Sequence, residues 1–439
     1  MTNTRRTVLA GMAGGAGAGL LAACGGGGQG SGAPAVAELR GVSLEHWAQN
    51  ELTHVEGAAK QKVLQQFSAQ SGLGISVTSA GGAGPEKVIA AMAAGTPPDM
   101  LDGFHFNLSQ YYRQGATVDV DAELKSNADW KKARASLYPN IVQGFTWKGK
   151  MYGVPLYSSH FNMYFQPELL KRAGLVAPPP KTWTWDQFLD YNRKASRPPE
   201  ITGYDDQWSY SRTGMMALAN GHKFMSADGT KFSYNSPEAL EAVEFQQQMI
   251  KSGLMRAHDG TASGSYTEKL PDGKVVFQFG VAARVPTYRK AGSQFGTCYF
   301  PIGPKNKEKL NYTHGEAYGF SVFKNKDAKK QQAAVLASVW GTRADMGLLL
   351  AQEAGTVPSY KSTIEDAAFQ ANFKKDADAW PFYDVLPGFI PMPNFPGFAD
   401  VRALGDMMIR DIWAGKGTAR EIMNEYTRQG QQKLDDVLK

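Results

Sequence analysis

The chain lacks several features that particular classes of protein would need. Its 439 residues include only two cysteines, Cys24 and Cys298. Lysine and arginine are scattered along the sequence without blocks of like charge, so no nucleic-acid footprint is indicated. No Gly-Lys-Ser/Thr follows the glycine run at 25–28, which excludes a P-loop, and the Gly-x-Ser-x-Gly elbow of many hydrolases does not occur. No internal repeat is evident.

A metal centre is not indicated either. Glu45, His46, Glu51 and His54 lie close together in the sequence. The two histidines are eight residues apart and have no matching Cys or His pair, so none of the usual zinc-ligand spacings is met. Scattered polar surface residues account for the group better, and we expect neither a metal nor a cofactor.

Long hydrophobic runs are also missing. Near its start the chain has Arg5 and Arg6, then a short apolar stretch rich in Gly and Ala, then Leu-Ala-Ala-Cys ending at Cys24. The stretch is too short and too often interrupted by glycine to supply the roughly 20 apolar residues of a spanning helix. Residues 1–23 are therefore predicted to be an export leader. The Leu-Ala-Ala-Cys segment resembles a bacterial lipobox, which implies cleavage before Cys24 and acylation of that cysteine. The paired arginines resemble a twin-arginine signal, with an ordinary secretory leader as the alternative.

The leader is followed by a segment with the composition of a flexible coil. Residues 24–35 are rich in Gly and would tether a globular domain to a membrane through Cys24. Once Cys24 is acylated, Cys298 is the only cysteine left and no intrachain disulfide is possible. An oxidising compartment permits disulfides without requiring them. The remaining roughly 415 residues are enough for two or more domains with sizeable cores.

Beyond the tether, strands and helices alternate. The hydrophobic pattern predicts strands at 41–47 and 75–78 and helices at 58–71 and 87–94, with a glycine directly after each helix. This alternation indicates an α/β lobe with a parallel sheet covered on both faces, and ligands of such sheets bind at the carboxyl ends of the strands. Further predicted elements are strands at 275–280 and 319–323 and helices at 167–173, 184–195, 237–252, 328–340, 345–351 and 399–438.

Six segments, in this order along the chain, carry a family resemblance. They are Ala-Gly-Thr-Pro-Pro-Asp at 94–99, Gly-Lys-Met-Tyr-Gly-Val-Pro at 149–155, the segment 165–174, Pro-Lys-Thr-Trp-Thr-Trp-Asp-Gln-Phe at 180–188, the segment 272–277, and Met-Pro-Asn-Phe-Pro-Gly-Phe at 392–398. Together they resemble the bacterial extracellular solute-binding proteins, the family that includes the maltose-binding protein. Their order and spacing cover nearly the whole mature chain.

The resemblance implies a fold and a division of the chain. The expected fold is α/β and periplasmic-binding-protein-like, with two discontinuous α/β lobes joined by a three-crossing hinge (type II). Lobe 1 would comprise 36–155 and 282–340, and lobe 2 would comprise 156–281 and 341–439. By analogy the chain would cross the hinge near Leu156, Gly280 and Gly341.

The resemblance also implies a function. Such a protein is an exported, monomeric lipoprotein facing the periplasm or the exterior, and it closes its lobes on a sugar or oligosaccharide by hinge rotation. The closed form docks on the membrane permease of an ABC importer, and no catalysis is expected. One departure is the run from Gly280 to Arg284, where the family often has an aromatic residue, so a maltodextrin specificity does not transfer directly.

Three alternatives remain open at the level of sequence. The ligand could be a phosphorylated or carboxylated small molecule, with Arg284 as its partner. A secreted glycosidase would need two carboxylates across a cleft, with the Asp99/Asp102 and Asp205-Asp206 pairs as the obvious candidates. Adjacent residues of a strand point in opposite directions, and Asp99 fits a turn, so this reading is weaker. A lipoprotein that presents its ligand to a receptor would have the same binding domain.

Sugar recognition needs aromatic faces against the pyranose ring and polar side chains that hydrogen-bond hydroxyl groups. Residues of these types at strand ends or hinge crossings are the candidate ligand contacts: Trp47, Asn50, Asp102, Phe104, Tyr157, Ser158, Trp208, Arg284, Glu316, Tyr318 and Phe398.

Most of these candidates have a structural alternative. Trp47 could be a core tryptophan under the sheet. Asp102 could be a capping residue and Phe104 a packed one. The Tyr157-Ser158 pair could serve only the hinge. Two further tryptophans, Trp183 and Trp185, fit the start of a helix and are predicted to be structural.

Overall fold

The fold is α/β, with one large mixed sheet shared by two hydrophobic cores. The computed structural model describes residues 39–79, 85–179, 181, 183–205, 210–226, 228–256, 270–395 and 397–439. The leader, the tether and the candidates Cys24 and Trp208 lie outside the described residues. Within the described part of the chain, no helix combines the length and the apolar character needed to cross a bilayer.

The strands of the described residues are β1 Ser43–Ala48, β2 Gly74–Ser79, β3 Met100–Phe104, β4 Thr146–Trp147, β5 Lys150–Met151, β6 Val154–Phe165, β7 Thr202–Asp205, β8 Val275–Val281, β9 Gly296–Cys298, β10 Thr313–Val322, β11 Val357–Pro358 and β12 Phe389–Pro391. The helices are α1 Val55–Ser71, α2 Pro85–Ala93, α3 His105–Arg113, α4 Val120–Glu123, α5 Ala128–Ser136, α6 Pro139–Gly144, α7 Pro167–Arg172, α8 Trp185–Ala195, α9 Tyr210–Ala219, α10 Pro237–Lys251, α11 Arg284–Lys290, α12 Ala328–Trp340, α13 Ala344–Ala354, α14 Lys361–Ile364, α15 Ala367–Phe373, α16 Trp380–Asp384, α17 Phe398–Trp413 and α18 Ala419–Leu438.

Local sequence signals explain where several helices begin and end. Helix α1 stops at Gly72, which adopts a left-handed conformation with φ of 72° that glycine tolerates without steric cost. Helix α8 begins with a capping box in which the side chains of Thr184 and Gln187 each accept a hydrogen bond from the other residue's backbone N–H. The predicted helix at 399–438 is two helices, because the Gly-Lys-Gly segment at 415–417 breaks it before the capping residue Thr418.

The sheet is mixed, whereas the alternation of strands and helices predicted a parallel one. Its order is β2-β1-β3-β10-β6-β8-β7. Strands β1, β2 and β3 are parallel, as predicted for the first lobe. Strand β10 then pairs antiparallel with both β3 and β6. The antiparallel pairs arise because β10 returns from the second core, so it enters the first lobe from the opposite direction.

Strands β6 and β10 carry the chain between the two cores. The first half of β6 pairs with β10, and its second half, from Phe161, pairs with β8. The two long strands lie so close that Gly315 faces the backbone of Ser159 and His160 without room for a Cβ atom. A continuous strand thus links the lobes, which fixes the position of the residues between them.

The cores divide the chain differently from the predicted lobes. Residues from Cys298 to Tyr312 pack in the second core, although lobe 1 was predicted to include them. Residues from Met346 to Phe389 pack in the first core, although lobe 2 was predicted to include them. The chain stays with the first core beyond Gly341 because α13 packs on α1 and β11 pairs with β6. Which segments move together in hinge rotation stays a prediction.

Candidate functional site

Four aromatic side chains meet at the carboxyl end of β3, between the two cores. This aromatic cluster consists of Phe104, Phe106, Tyr157 and Tyr318. The ring centroids of Phe104 and Tyr318 are 4.4 Å apart, those of Tyr157 and Tyr318 are 4.8 Å apart and stacked, and those of Phe104 and Phe106 are 5.3 Å apart and stacked. Tyr318 is 5% exposed. The cluster includes three sequence-predicted contacts, Phe104, Tyr157 and Tyr318, from three different strands or strand ends.

A buried lysine connects two further candidates to the cluster. The Lys60 ammonium donates to Asn50 Oδ1 at 2.8 Å and to Asp102 Oδ1 at 2.8 Å, and it lies 5.4 Å from the Tyr318 ring centroid. Asp102 also accepts from the backbone N–H of Gln49 at 3.0 Å and contacts His46 Nε2 at 3.2 Å. Lys60 and Asp102 are 2% and 1% exposed. Asp102 is therefore a buried structural carboxylate, whereas Asn50 remains partly exposed.

The electrostatics of the Asp102 carboxylate follow from its partners. Burial by itself would raise its pKa, but the charge of Lys60 and the hydrogen bond from His46 hold the pKa well below its usual range. Asp102 therefore stays ionised at neutral pH and cannot act as a general acid. Asp99 and Asp102 are 5% and 1% exposed, so neither carboxylate is open to a substrate in this conformation, which argues against this pair in the glycosidase interpretation.

Carboxylates surround the tyrosines of the cluster. The Tyr157 hydroxyl donates to Glu56 Oε2 at 3.0 Å. Glu316, on β10, lies 3.6 Å from Arg402 of α17, so this ion pair joins the shared strand to an element of the second core. Burial raises the pKa of Tyr318 far above its usual value, and Glu56, Glu316 and Asp102 raise it further, whereas Arg402 lowers it. The phenol is therefore a permanent hydrogen-bond donor.

The remaining candidates lie outside the cluster or behind it. Phe398 is fully buried and contacts Phe106 edge-on at 5.9 Å, so it supports the cluster from the second core. Ser158 is fully buried and hydrogen-bonds His160 Nδ1 at 3.0 Å. Arg284 Nη1 donates to the Tyr288 hydroxyl at 3.0 Å. Trp47 Nε1 donates to Glu45 at 2.7 Å, and its ring faces the Lys87 ammonium.

The structure also shows the surroundings of the tryptophans and histidines that the sequence analysis considered outside the site. Trp183 and Trp185 are buried in the second core, which confirms their structural interpretation. His46 contacts buried Asp102, and the His54 side chain caps the start of α1. That the predicted residues contact a ligand stays a prediction.

The sequence reasoning missed four residues of the site: Glu56, Lys60, Phe106 and Arg402. Glu56 and Lys60 are four residues apart in the helix that follows β1, and this spacing places both on one helix face. That pattern could have been found in the sequence. Arg402 has no such signal, because it reaches the site only through the packing of α17 against the second core.

A family model matches most of the chain. Residues 62–377 match the family described as bacterial extracellular solute-binding protein. The chain belongs to this family. The match confirms the resemblance that the sequence segments carried, and it includes all residues of the aromatic cluster.

Individual relatives are distant in sequence. The chain is 22% identical over 342 residues to the maltodextrin-binding protein MdxE of Bacillus subtilis (strain 168), covering 76% of each chain. It is 24% identical over 371 residues to the sn-glycerol-3-phosphate-binding periplasmic protein UgpB of Escherichia coli (strain K12), covering 79% of this chain and 82% of that one.

The fold is also found among solved structures. The ABC substrate-binding protein Lmo0181 from Listeria monocytogenes, in complex with cycloalternan, superposes with a TM-score of 0.76 at 15% identity and covers 90% of this chain and 99% of that one. This agreement confirms the two-lobe periplasmic-binding-protein fold. This solute-binding protein therefore places its aromatic cluster between two lobes.

Proposed function

We propose that this protein captures a sugar or oligosaccharide between its two lobes and delivers it to the membrane permease of an ABC importer. The observation that carries the proposal is the Tyr318 ring, which lies among aromatic neighbours and is surrounded by Glu56, Glu316 and the Lys60–Asn50 pair. The site therefore combines flat apolar surface with several hydrogen-bonding groups. The MdxE and Lmo0181 relationships favour the same class of ligand.

The chemistry of the site suits a polyhydroxylated ring. Aromatic faces pack against the C–H faces of a pyranose, while carboxylates accept hydrogen bonds from its hydroxyl groups. The Asn50 side chain accepts from Lys60 through Oδ1, which leaves its NH₂ group as the donor available to a ligand. The rings are almost buried in this conformation, so ligand entry would require the lobes to separate by hinge rotation.

An anionic ligand is the second candidate. It is favoured by the similarity to UgpB and by Arg402, which pairs with Glu316 at the site, whereas Arg284 lies outside the cluster and contacts Tyr288. The charges around Tyr318 argue against it, because Glu56, Asp102 and Glu316 outnumber Lys60 and Arg402. A phosphate or carboxylate placed there would face a net negative surrounding.

The remaining features of the proposal concern export and partners. We infer that residues 1–23 are removed, that Cys24 carries the lipid anchor, and that the monomer faces the periplasm or the exterior. No catalysis and no cofactor are proposed, because the carboxylate of Asp102 is held by three donors and the family is one of solute-binding proteins. A partner receptor in place of the permease would use the same binding domain.

The test is a thermal-shift screen of the chain without its leader, against monosaccharides, oligosaccharides, polyols and organic acids. A ligand that binds only the folded state raises the unfolding midpoint by mass action. We expect a shift with one sugar class, confirmed by calorimetric titration. Shifts with organic phosphates or carboxylates alone would overturn the sugar assignment in favour of the anionic candidate.

A pair of variants then tests the site. Tyr318→Leu removes the central ring, and it should weaken binding of the sugar identified in the screen by about tenfold or more, since an aromatic contact contributes on the order of 1–2 kcal/mol. Tyr138→Leu is the control, because Tyr138 lies at the start of α6, in contact with Lys361 and away from the cluster. Equal affinities of the two variants would show that the ligand binds elsewhere.

A further inference from the structure

The first lobe carries a concentration of basic side chains at the end opposite the aromatic cluster. This basic pole consists of Arg40, Arg113, Lys324, Lys326 and Lys329, all exposed. The aromatic cluster lies at the carboxyl end of β3. At the opposite end, the basic pole lies where the chain before β1, the end of α3 and the start of α12 come together. In the sequence Arg40 and Arg113 are far from the lysine-rich segment 324–330, so only the fold brings the five charges together.

Backbone contacts bring these segments together. Strand β10 runs antiparallel to β3, so its last residue, Val322, lies beside Met100, the first residue of β3. The Lys324 N–H donates to Ala116 O at 2.8 Å, which holds the segment after β10 against the end of α3. Arg40 and Lys329 line the same open groove, between the start of β1 and the start of α12.

The nearby carboxylates neutralise little of this charge. Asp99 is buried, and it accepts from Lys330 at 3.1 Å, from Asn325 at 2.7 Å and from the Glu45 N–H at 2.8 Å. Asp327 caps α12 through the N–H groups of Lys329 and Lys330. Among the described residues, the five cations of the basic pole form no ion pair. Five cations therefore face solvent beside the exposed carboxylates of Glu45 and Asp327 and the half-exposed carboxylate of Asp119, which lies near Tyr112.

The basic pole also lies where the chain from Cys24 reaches the fold. The described part of the chain begins at Leu39, next to Arg40 and fifteen residues after Cys24. Fifteen residues span at most about 50 Å even when fully extended. A membrane that holds the acylated Cys24 is therefore within reach of the pole.

We propose that the basic pole rests on an anionic phospholipid surface and orients the anchored protein on its membrane. The acyl chains supply the attachment, and the lysines and arginines supply a second, electrostatic contact at the end of lobe 1. The aromatic cluster then stays away from the lipid and open to solute. The orientation rests on the proposed anchor at Cys24, but the attraction of the pole to anionic lipid does not depend on acylation.

The experiment measures partition of the mature chain carrying Cys24→Ser onto lipid vesicles. One set of vesicles contains phosphatidylcholine alone, and the other contains equimolar phosphatidylcholine and phosphatidylglycerol. We expect binding only to the second set, weakening as salt is added because ions screen the contact. Equal partition onto both sets, or no binding to the anionic set at low salt, would overturn the proposal.

Two charge-matched triple variants locate the contact. Lys324→Gln, Lys326→Gln and Lys329→Gln together should lower the partition coefficient on the order of 100-fold, since each lysine near an anionic surface contributes about a fivefold factor. The control combines Lys171→Gln, Lys231→Gln and Lys251→Gln, three exposed lysines of the other lobe. Equal losses in the two variants would assign the binding to net charge and contradict a defined pole.

The same variants separate this inference from the proposed function. The basic-pole variant should show the thermal shift of the parent with any sugar that binds, because the substituted lysines lie at the far end of the lobe. Vesicle binding without any sugar response would leave the basic pole standing while the sugar assignment fell. A thermal shift with a sugar but no binding to anionic vesicles would support the sugar assignment and contradict the membrane contact of the basic pole.

Discussion

Replacement of Lys60 by methionine tests whether the site is built on a buried charge pair. Met has a similar length and no charge, so Lys60→Met removes the ammonium while preserving most of the packing. Asp102 would keep the Gln49 N–H and His46 as partners, but it would lose the ammonium charge of Lys60. Asn50 would lose the donor that fixes its side-chain oxygen.

The expected cost is large because both partners are buried. Lys60 is 2% exposed and Asp102 is 1% exposed, so the remaining carboxylate cannot be hydrated without local unfolding. Removal of one member of such a pair typically lowers the free energy of unfolding by about 3–5 kcal/mol. The matched control is Lys62→Met on the same helix, where the ion pair with Glu353 is half exposed and contributes at most about 1 kcal/mol.

The assay is urea unfolding of the parent and both variants, followed by circular dichroism. A double-mutant cycle adds Asp102→Asn, and the double variant should be less destabilised than the sum of the single variants because neither charge is then left alone. The pKa of Asp102 is depressed in the folded state, so its charge stabilises the fold above the unfolded pKa and this stabilisation is lost as the pH falls. The effect of Lys60→Met should therefore shrink in acid.

Two results would refute this reasoning. A loss below about 1 kcal/mol for Lys60→Met would mean that the ammonium is hydrated in solution and not buried against Asp102. Additive effects in the cycle would mean that Lys60 and Asp102 do not interact. Either outcome would also remove the argument that Lys60 orients Asn50 toward a ligand.

Three further predictions concern stability. Burial lowers the pKa of His105, His160 and His222 to about 4 and that of His314 to about 3. In the unfolded chain these histidines bind protons near pH 6.5. Below that pH each buried histidine should therefore lower the free energy of unfolding by up to about 1.4 kcal/mol per pH unit. A urea midpoint unchanged between about pH 7 and pH 5 would contradict this. Gly315→Ala would press a Cβ atom into the Ser159 carbonyl and should destabilise the fold by several kcal/mol, whereas Gly417→Ala, which makes only ordinary contacts, should change stability by less than about 1 kcal/mol. Trp183→Ala should lower the free energy of unfolding in urea by about 3–5 kcal/mol, because the indole is fully buried and donates to Tyr299 O. A loss as small as that of a surface substitution would contradict the place of Trp183 in the core.

Local signals were enough to predict about half of the described helices and several strands. Helix α12 has the predicted bounds, because Asp327 caps it and an apolar face repeats along it. Helix α1 ends at the predicted glycine. The helix predicted at 399–438 was too long because apolar periodicity continues on both sides of the break, and only the glycines between them interrupt it.

Long-range pairing was beyond the reach of these signals. Strand β10 was predicted only from Gly319 onward, although it begins at Thr313. The segment Thr313–Tyr318 contains histidine, glutamate and two small residues, and this composition does not indicate a buried strand. All ten residues of β10 are buried because β6, β3 and β12 pair with it, and this pairing is not visible in the local sequence.

By itself the sequence determined the family, the α/β alternation and the aromatic residues at strand ends, while cleavage before Cys24 stays a prediction. These properties depend on neighbouring residues, on spacing and on glycine or capping positions, which the chain carries locally. Only the tertiary structure decided that Asp102 is a buried partner of Lys60, that Tyr318 packs against Phe104 and Tyr157, and that Arg40 and Arg113 lie at the same end of the lobe as the lysines at 324–329. Each of these depends on pairing and packing between elements that are distant in the sequence, because burial and charge balance are properties of the packed chain.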